Sequence, residues 1–265
     1  MRFRRFVAIG DSQTEGLWDG DDGSGLRGWA DRLAERLAVD DPGIEYANLA
    51  VRSRRIAEIH DEQFAAALAM EPDLVGVCVG MNDATALTTD MGPALDLMDA
   101  MYRRLAETGA TVLTTTFPNI REIIPAARFF AGRVEALNAR IRRAADEYGL
   151  HLVDLYSAPS MVDLRMWSPD RLHGSALGHE RFALAAAEAL GLEGADDAWT
   201  HPLPGAVPTS GSARLLADID WVAVVLGPWV LRRLRGVSTG DGRTAKRPQP
   251  LPFGQASPSP LDSGA

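Results

Sequence analysis

The chain has 265 residues, of which 46% are hydrophobic and 24% charged. That is the balance of a globular protein, and it excludes wholesale disorder, collagen-like structure and coiled coil. A formal net charge of -9 argues against nucleic acid as a partner. The lone cysteine, Cys78, sits in an apolar run and excludes a disulfide framework. No apolar run approaches the roughly eighteen residues of a membrane span. Phe6–Ile9, behind the basic start Met1–Arg5, is too short for the core of a signal peptide, so the expected location is cytoplasmic.

Taken in chain order, five short β-rich runs alternate with segments of helical period. The runs are Phe6–Ile9, Ile44–Leu49, Leu74–Val79, Thr111–Phe117 and Leu150–Leu155. Leu26, Trp29, Ala30, Leu33 and Leu37 recur at helical spacing after the first, and Ile56, Ile59, Phe64 and Leu68 after the second. Further helical segments cover Ala94–Glu107, Arg128–Tyr148 and Leu177–Leu190. Such alternation predicts right-handed βαβ units and a three-layer α/β/α sandwich. Its five-stranded parallel sheet is expected in the flavodoxin-like order 2-1-3-4-5.

This unit is expected to occupy residues 1–192. A Pro-, Gly- and Ser-rich linker follows over 193–212, then a helical segment over 213–235 carrying Trp221, Val225, Leu226 and Trp229. Gly227-Pro228 should kink or split that helix. From Gly236 to Ala265 the chain is poor in apolar residues and reads as a disordered basic tail.

Ligands of open parallel sheets bind at the carboxyl ends of the strands, so the residues after each run matter most. They are Gly10-Asp11-Ser12-Gln13-Thr14, then Asn48 to Ser53, then Gly80-Met81-Asn82-Asp83, and the loop beyond the fifth run holds Ser168-Pro169-Asp170-Arg171-Leu172-His173. A hydroxyl, an amide and an Asp-x-x-His pair thus converge on one edge. Ser12 is a poor nucleophile unless a base takes its proton, and His173 is the candidate base. Asp170, three residues earlier, can accept the other imidazole N–H. His60, His151, His179 and His201 lack an aspartate three residues before them. His179 is expected to cap or pack the start of the last helix.

Gly10-Asp11-Ser12, Gly80-Met81-Asn82-Asp83 and Asp170-x-x-His173 together resemble three of the four blocks of the SGNH (GDSL-type) serine hydrolases, over roughly residues 5 to 192. The resemblance implies a carboxylic ester hydrolase acting on a small-molecule ester through Ser12, His173 and Asp170, with no cofactor and no metal. It also implies an oxyanion hole of the Ser12 N–H, a backbone N–H at Ser53 and the Asn82 amide. In the second block Ser53 stands where the family usually has glycine, which bears on the room beside the acyl group. By position alone, Asp83, Phe117 and Asn119 are expected to line the substrate cleft. For Asp83 a structural role beside Asn82 is the favoured alternative.

Asp19 to Gly25 is acidic but lacks the spacing and terminal Glu of an EF-hand, and a polar loop is expected there. Arg232, Arg233, Arg235, Arg243, Lys246 and Arg247 make the C-terminal region basic beside Trp221 and Trp229. That combination allows a peripheral contact with an anionic membrane; the alternative is an extra helix packed on the domain. A non-catalytic binding protein on the same scaffold remains open, since a fold does not fix a function. Among enzymes, a sugar O-deacetylase, a thioesterase and a lipase would share these residues.

Overall fold

The apolar runs form strands β1 (Arg5–Gly10), β2 (Glu45–Asn48), β3 (Leu74–Cys78), β4 (Thr111–Thr115) and β5 (His151–Val153). All five are parallel, in the order 2-1-3-4-5. The computed structural model describes residues 3–23, 25–86, 88–205, 221–228 and 239–255. Strands β1 and β3 are central and buried almost throughout, which is why they read as continuous rather than alternating apolar runs.

Helices cover both faces. α1 (Trp29–Asp40) packs on α5 (Ala176–Ala189), while α3 (Met91–Ala106) packs on α4 (Ala131–Tyr148) and on α2 (residues 56–69). Helix α2 runs through Ile56–Ile59, a π turn His60–Phe64, and Ala65–Ala69. Trp29 of α1 stacks on Phe182 of α5 with ring centroids 4.5 Å apart. Its indole also presses onto the sheet at Gly76, where a Cβ would come within 2.9 Å of it. Ser175 starts α5, its hydroxyl accepting the Gly178 N–H, and Asp90 starts α3 in the same way through Gly92.

The sheet differs from expectation in having a sixth strand, β6 (Arg247–Pro252), antiparallel to β2 at the edge. The tail expected to be disordered from Gly236 is therefore part of the fold over these residues. Its composition misleads because Pro248, Pro250 and Pro252 alternate with residues that keep an N–H. A strand that bonds along only one side needs donors only at alternate positions, which is where proline is tolerated. The Phe253 N–H, donated to the Ile44 carbonyl at 3.0 Å, lies on the bonded side. Lys246 fixes the strand's start, its Nζ donating to Asp31 and to the carbonyls of Glu15 and Leu26.

The linker boundary shifts too. Trp199, in a 3-10 turn Asp197–Thr200, is buried against the domain and its indole N–H bonds Glu188 of α5. Of the segment expected over 213–235, only 221–228 lies within the described residues, and it is helical with a π turn Val222–Leu226. Trp221 is buried on Ile123 and Ile124. Trp229, Arg232, Arg233 and Arg235 lie outside the described residues. Arg243, Lys246 and Arg247 all hold partners within the chain. Among the described residues no helix is long and apolar enough to cross a membrane.

Candidate active site

The site begins where β1 ends. Gly10 has φ +155°, and a Cβ there would sit 2.6 Å from both the Cys78 carbonyl and the Thr14 hydroxyl, so no other residue fits. Its amide is held by buried Gln63, which accepts the Gly10 N–H and donates to the Gly10 carbonyl, each at 2.9 Å. Gln63 lies in the π turn of α2, an irregularity of the kind found at functional sites. Asp11 then caps a single helical turn, Ser12–Glu15, by accepting the Gln13 N–H.

Ser12 Oγ lies 2.8 Å from His173 Nε2, and His173 Nδ1 lies 2.7 Å from Asp170 Oδ2. The Asp170 Oδ1 atom accepts three further bonds, from the Ser168 hydroxyl and the N–H groups of Leu172 and His173. Trp18 donates its indole N–H to Oδ2 at 2.8 Å. Burial alone would raise this carboxyl. The His173 hydrogen bond and charge, with the Ser168 and Leu172 donors, outweigh burial and hold it well below the usual carboxylate range. Gln13 ties the serine turn to the histidine loop, donating to the Leu172 carbonyl at 2.9 Å and accepting the Gly174 N–H at 3.3 Å.

The second and third blocks close the other side. Buried Asn48 donates to the Thr14 carbonyl and the Tyr46 hydroxyl and accepts the Ala50 N–H, fixing the end of β2 against the serine turn. Ser53 has φ +69°, the left-handed conformation that glycine adopts most easily, and its hydroxyl bonds that of Thr239. Asn82 donates to Asp11 Oδ2 at 3.0 Å and to the Arg54 carbonyl at 3.1 Å. Asp83 is buried and accepts the Ile56 N–H at 2.9 Å, with burial raising its carboxyl.

Two cavities meet at Ser12, Asn82 and His173. One is an open cleft of about 1080 Å³ whose walls include Arg52, Ser53, Arg55, Glu58, Asp83 and Thr239. The other is an apolar pocket of about 150 Å³ bounded by Met81, Phe117, Ile123, Ile124 and Trp221. Asp83 and Phe117 therefore face the cleft and the pocket respectively. Asn119 faces neither: it caps the turn Ile120–Ile123, accepting the Arg121 N–H and donating to Glu122. That corrects the cleft role expected from its place after β4; its short polar side chain serves a helix start.

His179 is buried within α5 and packs rather than caps, its Nε2 bonding the Leu17 carbonyl at 3.1 Å. Burial lowers it to about 4. The acidic loop after Asp19 is spoken for by arginines: Asp19 pairs with Arg32, and Asp22 with Arg52 and Arg243. Cys78 is buried, and burial, followed by the nearby Asp11 charge, pushes its thiol well up.

Burial raises Asp11 to about 6, against bonds from Gln13 and Asn82 that favour its charge. A carboxyl raised on folding stabilises the fold below its unfolded value near 3.8, an advantage lost as pH rises through about 6. Relative to Asp11→Asn, wild type should therefore gain on the order of 3 kcal/mol between pH 7 and pH 4. His179→Asn should show the opposite sign, because neutral His179 loses its advantage as pH falls from 6.5 toward 4. Denaturant titrations across that range check both, and a pH-independent gap for Asp11→Asn would contradict its burial as a charged group.

A serine hydroxyl on an imidazole that is itself held by a carboxylate can be activated for attack, and adjacent N–H donors can receive the charge that develops. Gln13, Trp18, Gln63, Ser168 and Trp221 all build this arrangement, and sequence reasoning assigned none of them a role in it. Only Gln13 and Ser168 lie close enough to a motif for adjacency to have flagged them.

A search of curated proteins finds no sequence match. Among solved structures, an alpha/beta hydrolase enzyme from the metagenome of Lake Arreo, Spain, aligns with a TM-score of 0.60 at 21% identity, over 71% of this chain and 95% of that one. The acetyl xylan esterase AlAXEase aligns with a TM-score of 0.57 at 20% identity, over 70% and 99%. A catalytic mutant of an acetylxylan esterase from Geobacillus stearothermophilus gives 0.59 at 17% identity, over 76% and 97%. These likenesses show a shared fold. Residues 8–181 match the model of the GDSL-like lipase/acylhydrolase family. With well over half its length matched, the chain belongs to that family of ester hydrolases.

Proposed function

We propose that this protein cleaves carboxylic esters of short to medium acyl groups through an acyl-enzyme on Ser12. The reading rests on the relay from Ser12 through His173 to Asp170, with contacts of 2.8 and 2.7 Å. Ser12 Oγ attacks the ester carbonyl carbon while His173 Nε2 takes its proton. The imidazolium is stabilised by Asp170, and the carbonyl oxygen becomes an oxyanion. The N–H groups of Ser12 and Ser53 and the Asn82 amide supply its donors, Asn82 giving up one of its present bonds for the purpose. Collapse expels the alcohol, which leaves with the proton from His173. Water, deprotonated by the same imidazole, then attacks the acyl-enzyme, releasing the acid and restoring Ser12.

The two cavities divide the substrate. The smaller, more apolar pocket suits the acyl chain, and the larger, more open cleft with its charged wall residues suits the alcohol. An apolar cavity of ~150 Å³ admits a group of benzene's size, so the pocket should fill at about six carbons. Chromogenic esters from acetate to laurate test this. Turnover should peak near hexanoate and be abolished by a serine-directed phosphonylating reagent. Trp221→Ala removes part of the pocket wall and should raise activity on decanoate relative to butyrate by about tenfold, the scale of one or two methylenes. Absence of hydrolysis across the whole series by folded protein would refute the enzymatic reading. An acetate-peaked profile unmoved by Trp221→Ala would refute only the assignment of the acyl pocket.

A further inference from the structure

The C-terminal strap reaches the site before it joins the sheet. Thr239 lies on the wall of the open cleft, 2.9 Å from the Ser53 hydroxyl, and either oxygen can donate. Arg243 donates back to the Thr239 carbonyl at 3.1 Å and grips Asp22 with both terminal nitrogens. Asp22 also receives the Arg52 guanidinium at 2.8 Å, and Arg52 is the residue before Ser53. The contacts close a ring: Thr239, Arg243, Asp22, Arg52, Ser53 and back to Thr239. Arg52 is pinned from the other side by buried Glu15, which accepts both its backbone N–H and its guanidinium. Downstream, Lys246 and β6 anchor the strap to the domain.

Ser53 needs such a hold. Its φ of +69° is one that glycine adopts freely and a residue with a Cβ adopts only at a cost, as Trp18, Glu71 and Arg171 also do. Left alone, the backbone at Ser53 would favour a negative φ, and that rotation would re-aim the peptide groups on either side of it. Bonding its own hydroxyl to a fixed partner opposes the rotation. We propose that Thr239 is a positioning residue, which holds Ser53 in the left-handed conformation so that its N–H faces the reacting carbonyl. This rests on the oxyanion role proposed above for Ser53. The strap thus makes serine workable at a position where glycine would need no support.

The test is a cycle of variants assayed on a short chromogenic ester. Thr239→Val keeps the shape and removes the hydroxyl. It should lower kcat roughly three- to tenfold, the range of one hydrogen bond expressed as rate, with KM and melting temperature little changed. Thr239→Ser should restore kcat. In a Ser53→Gly background there is no hydroxyl to hold, and adding Thr239→Val should cost nothing further relative to Ser53→Gly alone. A full kcat in Thr239→Val, or an equal loss in the glycine background, would overturn the proposal. The Ser12 assignment fails separately: phosphonylation that leaves activity intact would reject the acyl-enzyme reading whatever Thr239 does.

Discussion

Alanine in place of Ser12 is expected to give a folded protein whose ester turnover is lower by roughly four to six orders of magnitude, the scale seen when a triad nucleophile is removed. Folding should survive because nothing that shapes the turn depends on the hydroxyl. Asp11 still caps the helical turn and Gln63 still holds Gly10. Alanine is also the best helix former for the position Ser12 occupies. His173 would lose one hydrogen bond and keep Asp170. The measurement is kcat on a soluble ester beside a thermal melt. Turnover above about a tenth of wild type, from a protein that melts normally, would remove Ser12 from the nucleophile's place.

Asp170→Asn should cost nearly as much for a different reason. Every donor around this carboxylate points inward: the Ser168 hydroxyl and two N–H groups on one oxygen, His173 and Trp18 on the other. An asparagine has only one oxygen to offer. If its NH2 faces His173 and Trp18, Nδ1 must accept, the proton moves to Nε2, and the ring can no longer take a proton from Ser12. If its NH2 instead faces Leu172 and His173, donors meet donors and the loop must shift. Either orientation should lower kcat by roughly 10³ to 10⁴ and lower the melting temperature as well. A thermally unchanged variant with near wild-type kcat would mean that His173 takes its orientation from elsewhere, with Gln13 the first alternative through its grip on the same loop.

What the sequence disclosed and what it hid follow from the range of the interactions. Strand order and helix positions were readable because burial on both faces leaves continuous apolar runs and helical periods. Ser12 and Asn82 stood out because each follows a strand and carries chemistry of its own, and the Asp170–His173 pair because its spacing lets a carboxylate meet an imidazole. Gln63 could not stand out. Its work is a pair of bonds to Gly10, fifty-three residues away, and it depends on a π turn that no local pattern announces. Trp18 bonds Asp170 from 152 residues away for the same reason. The tail was misjudged because proline content is a good sign of disorder in general and a poor one for a strand bonded along a single side. Asn119 was misjudged because position after a strand says where a residue lies and not where its side chain turns.

The proline strand has a further consequence for how this molecule behaves among its own copies. An exposed sheet edge with free donors and acceptors is a template on which another chain can add a strand. Here one edge ends in β6, whose alternate prolines cannot donate on the outward side. The opposite edge is β5, only three residues long. The six-stranded sheet is thus left with one edge chemically blunted and the other too short to seed pairing. Deleting the strap would do more than loosen the cleft. It would uncover the outer side of β2, leaving the backbone groups that now face β6 unpaired along Glu45–Asn48, and turn a self-contained sheet into one open to association edge to edge.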